Sequence, residues 1–158
     1  MIYISVGTFH HGFDRLIKII DEINQEKNLN CFAQIGNGKY KPMYIKYTNF
    51  LNNKEHLNYI KKSRIIITHG GMGVISEVIN ENKPLVVFPR TRHEAGHNQA
   101  FAISELKKKI NLCICKSKVE LKKNITYLLK SKKNFNYKLN RSDIPLIIKN
   151  YMKEIENE

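Results

Sequence analysis

The sequence predicts an α/β fold, a Rossmann-like parallel sheet of about six strands with helices on both faces. Two observations carry this expectation. Strand-like and helix-like segments alternate along the 158 residues, and such alternation requires crossover connections between parallel strands. In addition, "RIIIT" (64–68) and "LVVF" (85–88) are nearly continuous apolar runs. Strands buried on both faces have that pattern, whereas half-solvated strands alternate.

Each element has its own signal. Residues 2–6 read as a strand, closed by the turn "GTFHHG". In "FDRLIKIIDEINQ" the apolar residues 13, 16, 17, 19, 20 and 23 form one face of a helix. "CFAQIG" is a second strand and "YIKY" (44–47) a short third. "NKEHLNYIKKS" is helical and ends before the strand at 64–68. "GMGVISEVINENK" is the next helix, stopped by Pro84, and "LVVFP" is again a strand. A polar loop over 90–96 leads to the helix "HNQAFAISELKKK". Strand "NLCIC", helix "KVELKKNITYLLKS" and a last helix from "SDIP" onward follow. The segment "KSKKNFNYKLNRS" (130–142) is the expected loose stretch. The whole chain, 1–158, reads as a single domain with a basic helical region over 116–158.

Composition narrows the function classes. No apolar run is long enough to span a bilayer, and the opening "MIYISV" has no charged leader or cleavage site, so no signal peptide is expected. Cys31, Cys113 and Cys115 are an odd set without metal-site spacing; Cys113 and Cys115, in an alternating apolar segment, read as buried strand residues in preference to redox or metal chemistry, and a reducing cytoplasm fits. The net charge is +13. Between Glu105 and Arg141 twelve Lys/Arg face two Glu, so the excess lies in the C-terminal third. Surface lysine from biased composition and attraction to an anionic partner both account for it. Among partners an anionic membrane surface is favoured over nucleic acid, because aromatic residues do not interleave the basic ones.

Ligands of such sheets bind beyond the carboxyl ends of the strands. Two of these ends carry phosphate-type chemistry. Gly7-Thr8 turns after the first strand, as an ordinary turn or against a phosphate. "HGGMG" (69–73) stands where a strand hands over to a helix. Unpaired N–H groups and the helix dipole favour an anion there, and glycines admit it closely. His69 can add a donor, or a charge when protonated; read structurally, it caps a tight turn. Neither run is a P-loop, and the three spaced glycines of a dinucleotide site are missing. Glu77 lies one helical turn beyond Gly73. It could accept both hydroxyls of a ribose, or serve as a solvated helix residue.

"THGGMGVISEVINENKPLVVFP", with the polar loop and "HNQAFA" after it, resembles the donor-binding half of the GT-B glycosyltransferases of family 28. The likeness points above all to the split, two-component members. These are the eukaryotic UDP-GlcNAc transferase subunit that makes the second dolichol-linked sugar, and bacterial capsule and exopolysaccharide galactosyl- and glucuronosyltransferase subunits. "SVGTFHHGFDRLI" matches the start of the bacterial subunits, and the resemblance covers roughly 1–115. It implies a UDP-sugar donor held residue by residue. Gly7 and Thr8 would face the diphosphate; His69, Gly70, Gly71, Met72 and Gly73 would cradle it; Glu77 would hold the ribose. Phe50 and Leu51 would meet uracil, or pack as an ordinary loop. Glu94, Asn98 and Gln99 would contact the donor sugar, or form an exposed loop and helix cap. The loop before Asn98-Gln99 departs from the bacterial subunits, which tend to be longer there and end in His-Gln.

The same resemblance implies inverting transfer without metal or other cofactor, and no Asp-x-Asp motif occurs. The motifs are those of the donor half only. A lipid-linked saccharide acceptor and a separate membrane-anchored subunit are therefore expected, with this chain peripheral at the inner face of the cell membrane. His10 and His11 could act as a base or donate hydrogen bonds. A non-catalytic nucleotide-sugar-binding or regulatory module is the alternative, and an epimerase is disfavoured by the length.

Overall fold

The computed structural model describes residues 1–95, 99–110, 112–132, 135–137, 145–147, 149–150 and 153, excluding the side chains of 92, 95 and 99–101. Six strands occur among them: β1 (Ile2–Ser5), β2 (Cys31–Gln34), β3 (Lys46–Thr48), β4 (Ile65–Thr68), β5 (Leu85–Val87) and β6 (Cys113–Ile114). The helices are α1 (Asp14–Lys27), α2 (Asn53–Lys62), α3 (Met72–Asn80), α4 (Arg92–Ala95), α5 (Gln99–Lys109) and α6 (Lys118–Lys130).

Every strand pairing is parallel, in the order β3-β2-β1-β4-β5-β6. β1 and β4 are central, with Ser5 level with Thr68. The chain steps outward from β1 in one direction and then restarts from β4 in the other. The crevice between their carboxyl ends is thus the switch point where such sheets bind ligands.

Isoleucine builds both faces. Its branched Cβ suits the extended backbone, and each fully buried side chain contributes about 1.5–3 kcal/mol. Ile2, Ile4, Ile65 and Ile67 pack against α1 and α6 through Leu16, Ile20, Leu121 and Ile125. Tyr3 and Ile66 point the other way, onto Ile60, Ile75, Val78 and Leu106 of α2, α3 and α5. Helix α1 ends at Asn28, which takes a left-handed conformation (φ 46°) while its N–H bonds Asn24 O. Asparagine is among the few residues that tolerate this.

Three local expectations change. The third strand shifts to Lys46–Thr48, because the preceding residues are tied to α1. The buried Asp21 carboxylate accepts from the N–H groups of Met43 and Tyr44 and from the Tyr40 hydroxyl. The polar loop over 90–96 contains the single helical turn α4. The stretch expected to be loose is anchored at Tyr137, whose hydroxyl accepts from Leu85 N and donates to Lys83 O. Burial raises this phenol's pKa to about 12. Residues 145–147 and 149–150 of the expected last helix are helical; most of that helix lies outside the described residues.

The three thiols are free, with Cys31 and Cys115 buried, and burial raises the Cys31 pKa to about 12. Among the described residues no helix is long and apolar enough to cross a membrane. Part of the basic charge is neutralised within the fold, since Lys118 bonds Glu22 and Glu26 of α1, and Lys122 bonds Glu26.

Candidate functional site

A cavity of about 320 Å³ opens at the switch point. Its floor is the carboxyl end of the sheet, at Ser5 and Gln34, and Gly7 and Thr8 form one rim. Leu51, Asn53 and His56 enter from the start of α2, while Gly73, Val74 and Glu77 come from the first turns of α3.

The entrance of α3 is prepared for an anion. Gly71 stands at the N-cap and makes no side-chain capping bond, and no acidic residue occupies the first turn. By contrast α1, α2 and α6 carry Asp14, Glu55 and Glu120 there. The unpaired N–H groups of α3 thus keep their positive partial charge. Gly73 leaves room, because a Cβ added to it would meet nothing within 4 Å.

His69 has a different place from the other glycine-run residues. It is 6% exposed and lies beneath the rim, between two glycines. A Cβ on Gly7 would come within 2.8 Å of its Cε1, and one on Gly71 within 2.5 Å of its Nε2. Gly7 and Gly70 have φ of +72° and +102°, a region that disfavours other residues. Burial, helped by the charge of Arg90, pushes the His69 pKa down to about 4. The ring is therefore neutral near pH 7 and supplies no positive charge. Its Nδ1 lies 3.3 Å from Thr68 Oγ1 and 3.5 Å from Ser5 O.

The fixed cation nearby is Arg90, buried at the end of β5. It donates to Val6 O and its guanidinium lies over the rings of Phe9 and Phe13. Its Nε and Nη1 have no hydrogen-bond partner among the described residues.

Glu77 reaches the cavity with one oxygen engaged: Oε2 lies 2.9 Å from His56 Nε2. The other ring nitrogen, Nδ1, lies 2.7 Å from the Tyr3 hydroxyl, which is also 3.1 Å from Gln34 Oε1. Burial raises the Tyr3 pKa well above its ordinary value, so the phenol keeps its proton.

Among the other residues expected at the site, Phe50 is half exposed outside the cavity lining, although its neighbour Leu51 lines it. Met72 packs on the core beneath α3. Glu94 borders a second cavity of about 360 Å³ with His10, His11, Asn37 and Lys39. Its carboxylate accepts two bonds from Arg15, at 2.8 Å each, and others from Thr91. Burial works to raise the Glu94 pKa, but these bonds outweigh it and hold it below the usual range. Gln99 opens α5 with its side chain undescribed, and Asn98 lies outside the described residues.

Gln34, Asn53 and His56 belong to no sequence motif. The available signals were a polar residue ending an apolar strand, for Gln34, and the Asn52–Glu55 capping box that fixes the start of α2.

The family model for the glycosyltransferase family 28 C-terminal domain matches residues 1–156. The chain belongs to that family. No curated protein matches the sequence. The fold of this family 28 domain is similar to that of ALG13, solved by NMR (TM-score 0.60, 15% identity, 96% of each chain covered). It is also similar to SnogD from Streptomyces nogalater (TM-score 0.59, 12% identity), covering 97% of this chain and 39% of that one. The glycotransferase of kitacinnamycin aligns with TM-score 0.57 and 14% identity over 98% of this chain and 39% of its own. The family 28 domain therefore spans about two fifths of the length of several of these enzymes, and nearly all of ALG13.

Proposed function

We propose that this family 28 domain is a single UDP-sugar donor-binding domain of an inverting, metal-independent glycosyltransferase. It acts with a separate membrane-anchored subunit that holds a lipid-linked saccharide acceptor, in capsule or exopolysaccharide synthesis at the inner face of the cell membrane. The observation that carries the reading is the cavity at the switch point. One wall combines an uncapped helix entrance, an open Gly73 and, one turn on, the Glu77 carboxylate. An anion and a vicinal diol, the two groups a nucleoside diphosphate presents, match these two features.

In this scheme Gly7, Thr8 and the N–H groups at the start of α3 receive the diphosphate, with Gly70 and Gly71 shaping the turn. Glu77 accepts from the ribose hydroxyls, and Leu51 with Phe50 covers the base. As the bond to the anomeric carbon breaks, negative charge grows on the leaving diphosphate. Fixed N–H dipoles stabilise that charge without reorganising. His69 contributes shape rather than charge, since it is neutral and lies below the rim. The acceptor subunit brings the hydroxyl in line and carries the base.

The test has two stages. UDP should raise the melting temperature of the isolated chain by mass action, and more than ADP does. Radiolabelled transfer from UDP-galactose, UDP-glucose, UDP-GlcNAc and UDP-glucuronate to a polyprenyl-diphosphate saccharide should then need membranes containing the partner subunit. Absence of any shift with millimolar UDP in low salt overturns the donor site. Turnover by the chain alone overturns the two-subunit scheme.

A further inference from the structure

We propose that His56 is a positioning residue for ribose recognition, holding Glu77 so that the site selects ribonucleotides over 2′-deoxyribonucleotides. The inference rests on the donor-site reading above and extends it to a residue no motif marks.

A carboxylate only accepts hydrogen bonds, so His56 Nε2, 2.9 Å from Glu77 Oε2, carries a proton. In a neutral ring Nδ1 is then an acceptor, and the Tyr3 hydroxyl at 2.7 Å supplies its proton. The single phenol proton cannot also serve Gln34. Gln34 Oε1, at 3.1 Å, is the more distant of the two acceptors the phenol meets, and the Gln34 amide nitrogen turns instead to Gly7 O. The result is a chain of donors running Tyr3, His56, Glu77. It starts on the central strand β1 and ends in the cavity.

Packing fixes each link. Tyr3 is fully buried and His56 is 9% exposed, and their rings meet edge to face at 5.5 Å. Helix α2 is held at its start by the reciprocal Asn52–Glu55 capping box, one turn before His56. Glu77 itself retains 34% of its side chain open. Left alone, a glutamate on an exposed helix turn samples several rotamers, and ordering it on binding would oppose affinity. With Oε2 held by His56 the carboxylate is set in advance, and its remaining lone pairs face the ligand. A diol gains from this, whereas a nucleotide lacking the 2′-hydroxyl loses one charge-assisted bond.

The test compares UDP with 2′-deoxy-UDP by calorimetry on the full chain. The wild type should prefer UDP about tenfold or more, the value of one charge-assisted hydrogen bond. His56→Asn places its amide at the Nδ1 position, keeping Tyr3 and releasing Glu77. His56→Gln places its amide at the Nε2 position and restores the bond to Glu77. The preference should fall toward unity in His56→Asn and return in His56→Gln, with UDP, which engages Glu77 through two hydroxyls, losing more affinity in His56→Asn than 2′-deoxy-UDP, which keeps only the 3′-hydroxyl. Tyr3→Phe, which keeps the ring packing, should give an intermediate ratio and serves if His56→Asn does not fold. A folded His56→Asn or Tyr3→Phe with the full wild-type preference overturns the positioning role and leaves the donor site standing. A wild type that binds neither nucleotide overturns both.

Discussion

The imidazole of His69 fills the space that a side chain at Gly7 would need, with 2.8 Å between its Cε1 and a Cβ built there. The first and second phosphate-type motifs of the sequence are thus one packed unit, and the glycine of one is required by the histidine of the other.

Gly7→Ala should therefore be destabilising twice over. The left-handed backbone at φ +72° disfavours alanine, and the methyl group strikes a ring that is itself enclosed. A loss of roughly 2–3 kcal/mol is expected, read from urea unfolding. Unchanged stability would mean that the ring moves aside freely.

Gly73→Ala should act in the opposite sense on stability. Its Cβ meets nothing within 4 Å, and replacing glycine within a helix stabilises by about 0.5–1 kcal/mol. The same methyl would stand in the cavity, so UDP binding should weaken by about 1–3 kcal/mol, the range for overfilled sites. Melting temperature and affinity moving apart is the outcome to seek. A rise in both would remove Gly73 from the ligand's path.

Glu94→Ala should lower stability by about 1 kcal/mol, because the partly exposed Arg15 pair is screened by solvent. UDP affinity should hold, since Glu94 borders the second cavity rather than the one at the switch point. Titrating UDP and a UDP-sugar side by side distinguishes its roles. A selective loss for the UDP-sugar would mark a sugar contact.

His69 also sets an acid limit. Its folded pKa of about 4 lies below the ordinary imidazole value of about 6.5, so the unfolded chain binds the proton more readily. Stability from this group is complete above about pH 6.5 and falls as pH drops toward 4, on the order of 3 kcal/mol in all. The pH slope of stability between 7 and 4.5 should flatten in His69→Asn, after subtraction of the other titrating groups common to both proteins. Equal slopes would show that the ring is accessible to protons.

The sheet was legible because β1, β4 and β5 are short segments rich in branched apolar residues and its crossovers are helices. Gly7, Gly73 and Glu77 were legible because residue type and spacing restrict what a strand-to-helix turn can do. The orientation of His69 was not, since it depends on two glycines separated by 64 positions in the chain packing against the same ring. The pairing of His56 with Glu77 spans 21 residues and that with Tyr3 spans 53, so no local pattern contains it. Helix α4, at four residues, is too short for periodicity to register. Tyr137 was hidden in a Lys- and Asn-rich stretch whose composition suggests a solvated loop.

The placement of β1 at the centre of the sheet affects how the protein is made. Its neighbour on one side, β4, lies 63 residues further along the chain at the Ser5–Thr68 level. During synthesis β1 can pair with β2 early, yet its other edge stays open until the ribosome has released β4. A buried apolar strand with one unpaired edge is prone to pair with another nascent chain. Slow translation across the α2 region would lengthen that interval, and a holdase that shields the β1–α1–β2 segment would shorten the exposure. Expression yield should therefore respond to codon choice between β2 and β4 more than to codon choice after β6.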